Sequence, residues 1–141
     1  MQKVQFYFLE RKPVLKERNS LKMFVEKLFM LEKKRLGKIS YIFCSDEHLL
    51  GINNEFLNHD FYTDVITFDL SSSKIETEGE VYLSVDRIKE NAKQLGVSFK
   101  EELHRVIFHG ALHLCGYNDK NKNDAILMRC REEKYLKAYF S

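Results

Sequence analysis

The segment from Ser98 to Gly116 most constrains how this chain can fold. Ser98 and Glu101 stand in the capping-box arrangement that begins a helix, and apolar residues then recur at helical spacing as far as Leu114. Gly116 can adopt the left-handed conformation that ends a helix and turns the chain back. The segment therefore predicts a helix with a buried face, followed at once by a turn.

Two histidines on this helix, His109 and His113, are four residues apart. That separation places them about 40° apart on one face, where two imidazoles can bind one ion. Asp119 follows the turn and could return a carboxylate to the same ion. Two histidines and one carboxylate leave a tetrahedral ion one open position, which is typical of a catalytic site. The alternative is that the two histidines are merely partly buried polar residues. The metal hypothesis therefore depends on Gly116 and Asp119 following at fixed distances.

The other histidines fit this site less well. His104 is about 140° from His109 around the helix, which predicts a surface residue or one that supports the site from behind. His48 lies early in another predicted helix and should be exposed. His59 lies in a loop and remains a possible site residue. Cys115 lies about 200° from His113, which favours a small buried thiol over a ligand.

Strand and helix patterns fill the rest of the chain without a linker or an internal repeat. Aromatic and branched runs predict strands over 4–9, 39–44, 65–68 and 81–83. Capping residues and apolar spacing predict further helices from Ser20 until Gly37, from Ser45 through Phe56, over 86–95 and over 123–139. This pattern predicts an α+β fold, residues 1–141 forming a single domain in which a mixed sheet of about four strands packs with about five helices.

Composition sets broader limits. No apolar run is long enough to span a bilayer, no secretory signal is evident, and three widely spaced cysteines indicate reduced thiols, so a cytoplasmic protein is expected. Residues 1–38 carry eleven Lys/Arg against four Glu, a net +7, whereas the remainder carries −5. This asymmetry can indicate a nucleic-acid face, but from charge alone a solvated helix face plus an acidic remainder is the preferred interpretation. Four sulfur-containing or aromatic helix residues are expected in the core: Met23, Phe24, Phe29 and Met128.

Three segments carry a resemblance to a known family. Residues 109–117 (HGALHLCGY) match nine positions of the motif H-G-x-L-H-L-x-G-Y-D-H. Residues 53–68 (NNEFLNHDFYTDVITF) are similar to the family's segment around T-D-V-L-S-F, and residues 79–84 (GEVYLS) look like its G-D-I-x-I-S strand. In these segments the chain resembles the YbeY family of bacterial metal-dependent endoribonucleases, also called ribosomal RNA maturation factors.

The resemblance implies a zincin-like metal helix that binds one zinc ion, with other divalent metals possible. It further implies hydrolysis of single-stranded RNA during maturation of ribosomal RNA (the 3′ end of 16S rRNA) and ribosome quality control. The partners would be ribosomal RNA and the ribosome or its small subunit, and no membrane. The metal ligands carried over are His109, His113 and Asp119, with no catalytic residue assigned.

Two departures from the family pattern bear on mechanism. Asp119 stands where the family has its third histidine, which keeps a zinc ligand but shifts preference slightly toward harder ions such as manganese. Leu57 stands where the family has an arginine, a natural phosphate partner. The cations that could replace it are Lys120, Lys122 and Arg105. The general base is left open between His59, Asp64 and a second water, and Thr63 and Asp64 could equally be structural.

Two other functions remain as alternatives. A zinc metallopeptidase would use the same ligands, but Gly110 stands where such an enzyme has its glutamate base. A non-catalytic RNA- or ribosome-binding factor would use the ion to hold the last helices together, so that removing the metal would unfold it.

Overall fold

A four-stranded mixed sheet forms the central layer of the computed structural model, which describes residues 2–141. Its strands are β1 (Val4–Phe8), β2 (Leu36–Cys44), β3 (Val65–Asp69) and β4 (Thr77–Ser84), in the spatial order β1-β2-β4-β3. Strands β1, β2 and β4 run parallel, and β3 lies antiparallel to β4 at the edge. Strand β2 is central and buried over Ile39–Cys44 because both of its faces are covered, which explains its nearly continuous apolar sequence.

Five helices cover the sheet: α1 (Arg18–Leu31), α2 (Asp46–Leu57), α3 (Val85–Leu95), α4 (Phe99–Leu114) and α5 (Lys122–Phe140). Four of them begin at a residue whose side chain accepts a hydrogen bond from a free backbone N–H in the first turn. The capping residues are Ser45, Ser84, Ser98 and Asn121. These caps explain the helix starts locally, and the predicted α+β class, strand number and helix number are confirmed.

Helix α1 departs from its predicted bounds. It begins at Arg18, two residues before Ser20, after Glu17 in a left-handed conformation without a side-chain cap. It ends at Leu31, shortly before Lys33 adopts a left-handed conformation, and Gly37 belongs to β2 instead of ending the helix.

The expected core residues are buried or partly buried with one exception. Phe29 and Met128 are buried and Phe24 packs partly buried against the core. Met23, however, is 71% exposed, so its predicted burial is wrong. The buried face of α1 includes Leu21, and Met23 is about 200° around the helix from that residue.

Close packing against the sheet fixes the rotation of α4. The hydroxyl of Tyr41 on β2 donates to the carbonyl of Ile107 over 2.9 Å. Gly110 lies so near β4 that a Cβ there would stand 2.6 Å from Cγ1 of Val81. No side chain fits at position 110, so one face of α4 stays against the sheet.

The three cysteines form no disulfide; Cys44 and Cys115 are buried and Cys130 is exposed. The burial expected for Cys115 is thus confirmed, and burial raises the pKa of its thiol to about 12. No helix in residues 2–141 combines the length and the apolar character needed to cross a membrane.

Candidate metal centre

Helix α4 and the loop after it bring His109, His113 and Asp119 together. One possible ligand atom from each of the three residues lies within 4.8 Å of the other two. The Nε2 atom of His109 is 3.4 Å from a carboxylate oxygen of Asp119, and Nε2 of His113 is 3.9 Å from the other oxygen. The two imidazole planes are nearly perpendicular, at 88°. The structure therefore brings the three predicted residues close enough together to hold one metal ion.

Hydrogen bonds to a residue at the end of α1 stabilise the turn that brings Asp119 to the two histidines. Gly116 has φ of 107°, a conformation that side chains disfavour. The next residue, Tyr117, donates its hydroxyl to a carboxylate oxygen of Glu32 at the end of α1 over 2.7 Å. The hydroxyl of Tyr135 on α5 donates to the other oxygen of Glu32. Glu32 thereby ties α1, the turn and α5 together.

Glu132 on α5 orients His109. Its carboxylate lies 2.7 Å from Nδ1 of His109, and the residue is only 5% exposed. Burial lowers the pKa of His109, but the hydrogen bond and charge of Glu132 outweigh it, so the pKa is raised. In the neutral ring, a proton on Nδ1 directed at Glu132 leaves the lone pair of Nε2 free toward the centre, as in histidines that ligate metals.

His113 lacks such a carboxylate behind it. Burial lowers the pKa of His113, and the neighbouring charge of His109 lowers it further. The lowered pKa means that the His113 imidazole is neutral, the form that can bind a metal ion, over a wider range of pH.

The buried Arg105 forms ion pairs with Glu132, the residue that orients His109, and with neighbouring glutamates. Its guanidinium lies 3.4 Å from Glu132 and 2.5 Å from Glu133. It also lies 3.4 Å from Glu102 and 3.8 Å from Glu101. Arg105, Glu102 and Glu132 are all buried, so each charge depends on the others for compensation.

The centre opens into a cavity of about 550 Å³. Helices α4 and α5 line part of it, and the segment between α2 and β3 lines another part with His59, Phe61, Thr63 and Asp64. Two residues proposed as the base, His59 and Asp64, are therefore at the cavity. Burial raises the pKa of Asp64, although the charge of His109 opposes this shift.

Two other histidines lie away from this centre. His48 is exposed, as predicted. His104 is turned away from the ligands, as its spacing predicted, but it is buried rather than on the surface. Its Nδ1 atom lies 2.7 Å from the carbonyl of Lys100, and its ring stacks on Tyr139.

The cations at the cavity differ from those expected. Leu57 lines the cavity where an arginine would stand in the family, and neither Lys120 nor Lys122 lines it. Arg105 does, but its guanidinium is occupied by glutamates. Arg129 on α5 also lines the cavity, and its side chain is 56% exposed, with Glu132 at 4.0 Å.

Sequence reasoning missed Glu132 and Arg129. A signal for Glu132 existed, because it falls at helical spacing on the buried face formed by Met128, Tyr135 and Leu136. An acid on such a face calls for a buried partner. Arg129 has no such signal, since an exposed arginine on a helix is ordinary.

Comparison with known proteins agrees with the motif. Residues 9–140 match the family model described as Endoribonuclease YbeY. A protein of that name from Flavobacterium psychrophilum is 46% identical over 125 residues, covering 89% of each chain. One from Christiangramia forsetii is 42% identical over 130 residues, covering 92% of this chain and 90% of its own.

A solved structure extends the comparison to the fold. The solution structure of a Thermotoga maritima protein superposes with a TM-score of 0.60 at 30% identity, covering 96% of this chain and 89% of that one. The family match, the sequence identity and the shared fold all extend over most of the chain. The chain therefore belongs to the YbeY family.

Proposed function

We propose that this chain is a metal-dependent endoribonuclease that cleaves single-stranded RNA during maturation and quality control of ribosomal RNA. The observation that carries the proposal is the donor cluster of His109, His113 and Asp119, backed by Glu132 and open to a cavity. The names of the relatives support RNA as the substrate. Residues 1–141 would act as one hydrolase domain in the cytoplasm, on RNA of the ribosome or its small subunit.

The proposed cofactor is one zinc ion held by His109, His113 and Asp119. The donor set fits, because two imidazole nitrogens and a carboxylate oxygen are ordinary zinc ligands and leave a position open for chemistry. The carboxylate also makes manganese or another divalent ion acceptable. When bound, the ion would polarise a phosphoryl oxygen and make water more acidic.

The chain's own residues would supply the remaining roles. Asp64 lines the cavity and lies outside the ion-paired set of Arg105, so we assign it as acceptor of the proton from the attacking oxygen. Arg129 is a cation at the cavity without a close ion pair, so we assign it to the substrate phosphate in place of the arginine missing at Leu57.

A basic surface at the end of the metal helix also favours RNA. Lys33, Lys34, Arg35 and Lys74 line a second cavity that reaches Gly116 at the end of the metal helix. Such a cluster attracts a phosphate backbone and could hold RNA beyond the cleaved bond. The basic N-terminal third of the sequence thus contributes positive charge to a cavity at the C-terminal end of α4.

The peptidase alternative finds no support in the geometry. Gly110 is where a zinc peptidase of the H-E-x-x-H type has its base, and a side chain there would collide with Val81. The alternative of a non-catalytic, metal-stabilised factor makes a different prediction, namely that loss of the metal unfolds the chain.

The test combines metal analysis with cleavage of a labelled single-stranded RNA. His113→Ala should lose the metal and reduce cleavage to the level of chelator-treated wild type, while circular dichroism stays native. Asp119→Ala should behave similarly, whereas Asp119→His should keep the metal because it restores the family's ligand. Glu55→Ala, on the exposed face of α2, is the matched control. Unchanged metal content in His113→Ala would refute the ligand assignment, and unfolding on metal loss would favour the non-catalytic factor.

A further inference from the structure

The end of α2 and the segment between α2 and β3 carry exposed aromatic side chains beside the candidate centre. Phe56, Phe61 and Tyr62 are 63%, 55% and 45% exposed. Exposed aromatic side chains that lie together at a cavity are typical of a ligand-binding surface. The three rings differ in what they already contact.

Two of these rings are engaged within the protein. Phe56 packs edge-on against Phe68 with ring centroids 6.1 Å apart, and it does not line the cavity. The hydroxyl of Tyr62 donates to Glu47 over 2.6 Å, and the guanidinium of Arg87 lies over its ring.

Phe61 differs, because it lines the cavity together with His59. The two rings are stacked, with centroids 5.1 Å apart and planes 24° from parallel. The pair therefore presents aromatic surface to the same space as the metal ligands.

Asn53 fixes this pair in place. It is only 2% exposed, and its side-chain amide donates to the backbone carbonyl of Phe61 over 2.9 Å. Its own backbone carbonyl accepts from the N–H of His59 over 3.1 Å. One buried residue thus holds the backbone of both ring-bearing positions, so the pair is ordered before any ligand arrives.

We propose that Phe61, backed by His59, is a stacking platform for an unpaired nucleobase of the RNA next to the phosphate to be cleaved. The platform shares its cavity with the metal ligands and with Arg129, which places base, phosphate and donor cluster in one continuous site. Stacking on aromatic rings is how proteins bind single-stranded RNA without reading its sequence. A base inside a duplex is already stacked on both faces, so the platform selects single strands.

The inference rests on the proposed function, and its test keeps the two apart. A single-stranded RNA that carries 2-aminopurine is mixed rapidly with the metal-loaded protein, so that binding is recorded before cleavage, and KM and kcat are then measured. Phe61→Ala should raise KM about tenfold or more and abolish the quenching of 2-aminopurine fluorescence, with kcat and metal content little changed. Phe61→Leu should bind the RNA as weakly as Phe61→Ala, because leucine keeps the apolar contact without a π-face. Phe61→Trp should bind the RNA at least as well as wild type.

Phe56→Ala is the matched control, since it removes a similarly exposed ring from the end of α2, outside the cavity. If wild type cleaves single-stranded RNA and either Phe61→Ala or Phe61→Leu binds it like wild type, the platform is refuted and the proposed function stands. If wild type neither binds nor cleaves RNA, both the proposed function and the platform are refuted.

Discussion

The two parts of the cavity wall are built in opposite ways. Helices α4 and α5 supply buried charges that compensate one another, centred on Arg105 and Glu132. The segment between α2 and β3 supplies exposed rings on irregular backbone that Asn53 anchors. Catalytic groups need fixed geometry, which packed helices provide, whereas a surface that meets varied bases needs access more than charge. We expect mutations of the buried charges in the first wall to cost stability and metal, and mutations in the second wall to weaken RNA binding while leaving the metal in place.

Arg105→Ala should have the largest effect on stability. It would leave the buried carboxylates of Glu102 and Glu132 without their cation, which typically costs about 3–5 kcal/mol. Urea denaturation would measure the loss, and metal content should fall with it because Glu132 orients His109. Lys137→Ala, at an exposed position of α5, is the control. A cost below about 1 kcal/mol would mean that the charged wall is not held by Arg105.

Asn53→Ala should give an intermediate effect on stability. The substitution removes the amide that donates to the Phe61 carbonyl, which leaves that carbonyl unpaired and costs about 1–3 kcal/mol. The KM for single-stranded RNA should rise because RNA binding is weaker, whereas elemental analysis should find unchanged metal content. Asn54→Ala removes an exposed neighbouring amide and should change neither the stability nor the RNA binding. Loss of metal in Asn53→Ala would show that the two walls are not independent.

Arg129→Ala should have the smallest effect on folding and act mainly on substrate. The side chain is 56% exposed, so stability should change by less than about 0.5 kcal/mol. We expect KM for single-stranded RNA to rise about tenfold, equivalent to about 1.4 kcal/mol, and the salt dependence of binding to weaken. Arg129→Lys should recover part of the effect. An unchanged KM and salt dependence would indicate that another cation binds the substrate phosphate.

The parts of the fold set by short-range patterns could be predicted from sequence. Ser45 and Ser98 cap helices at the expected positions, because a cap involves only the next three residues. The shared orientation of His109 and His113 likewise follows from helix geometry alone. The convergence of Asp119 on them required only one turn, at Gly116.

Features that depend on distant partners could not be predicted in the same way. The buried setting of His104 depends on aromatic residues of α5, which sequence spacing within α4 does not reveal. The exposure of Met23 depends on which face of α1 meets the core. Glu132 reaches His109 across 23 positions of sequence, and only the packing of α4 against α5 makes them neighbours.

The contacts of Glu32 bear on the order in which the site is completed during protein synthesis. This residue near the beginning of the chain holds Tyr117 and Tyr135, which follow it by 85 and 103 positions. Glu132, which orients His109, also belongs to the final helix. Both histidines are therefore synthesised before Glu132, the residue that orients one of them. The donor cluster reaches its final geometry only after α5 has been translated and has docked.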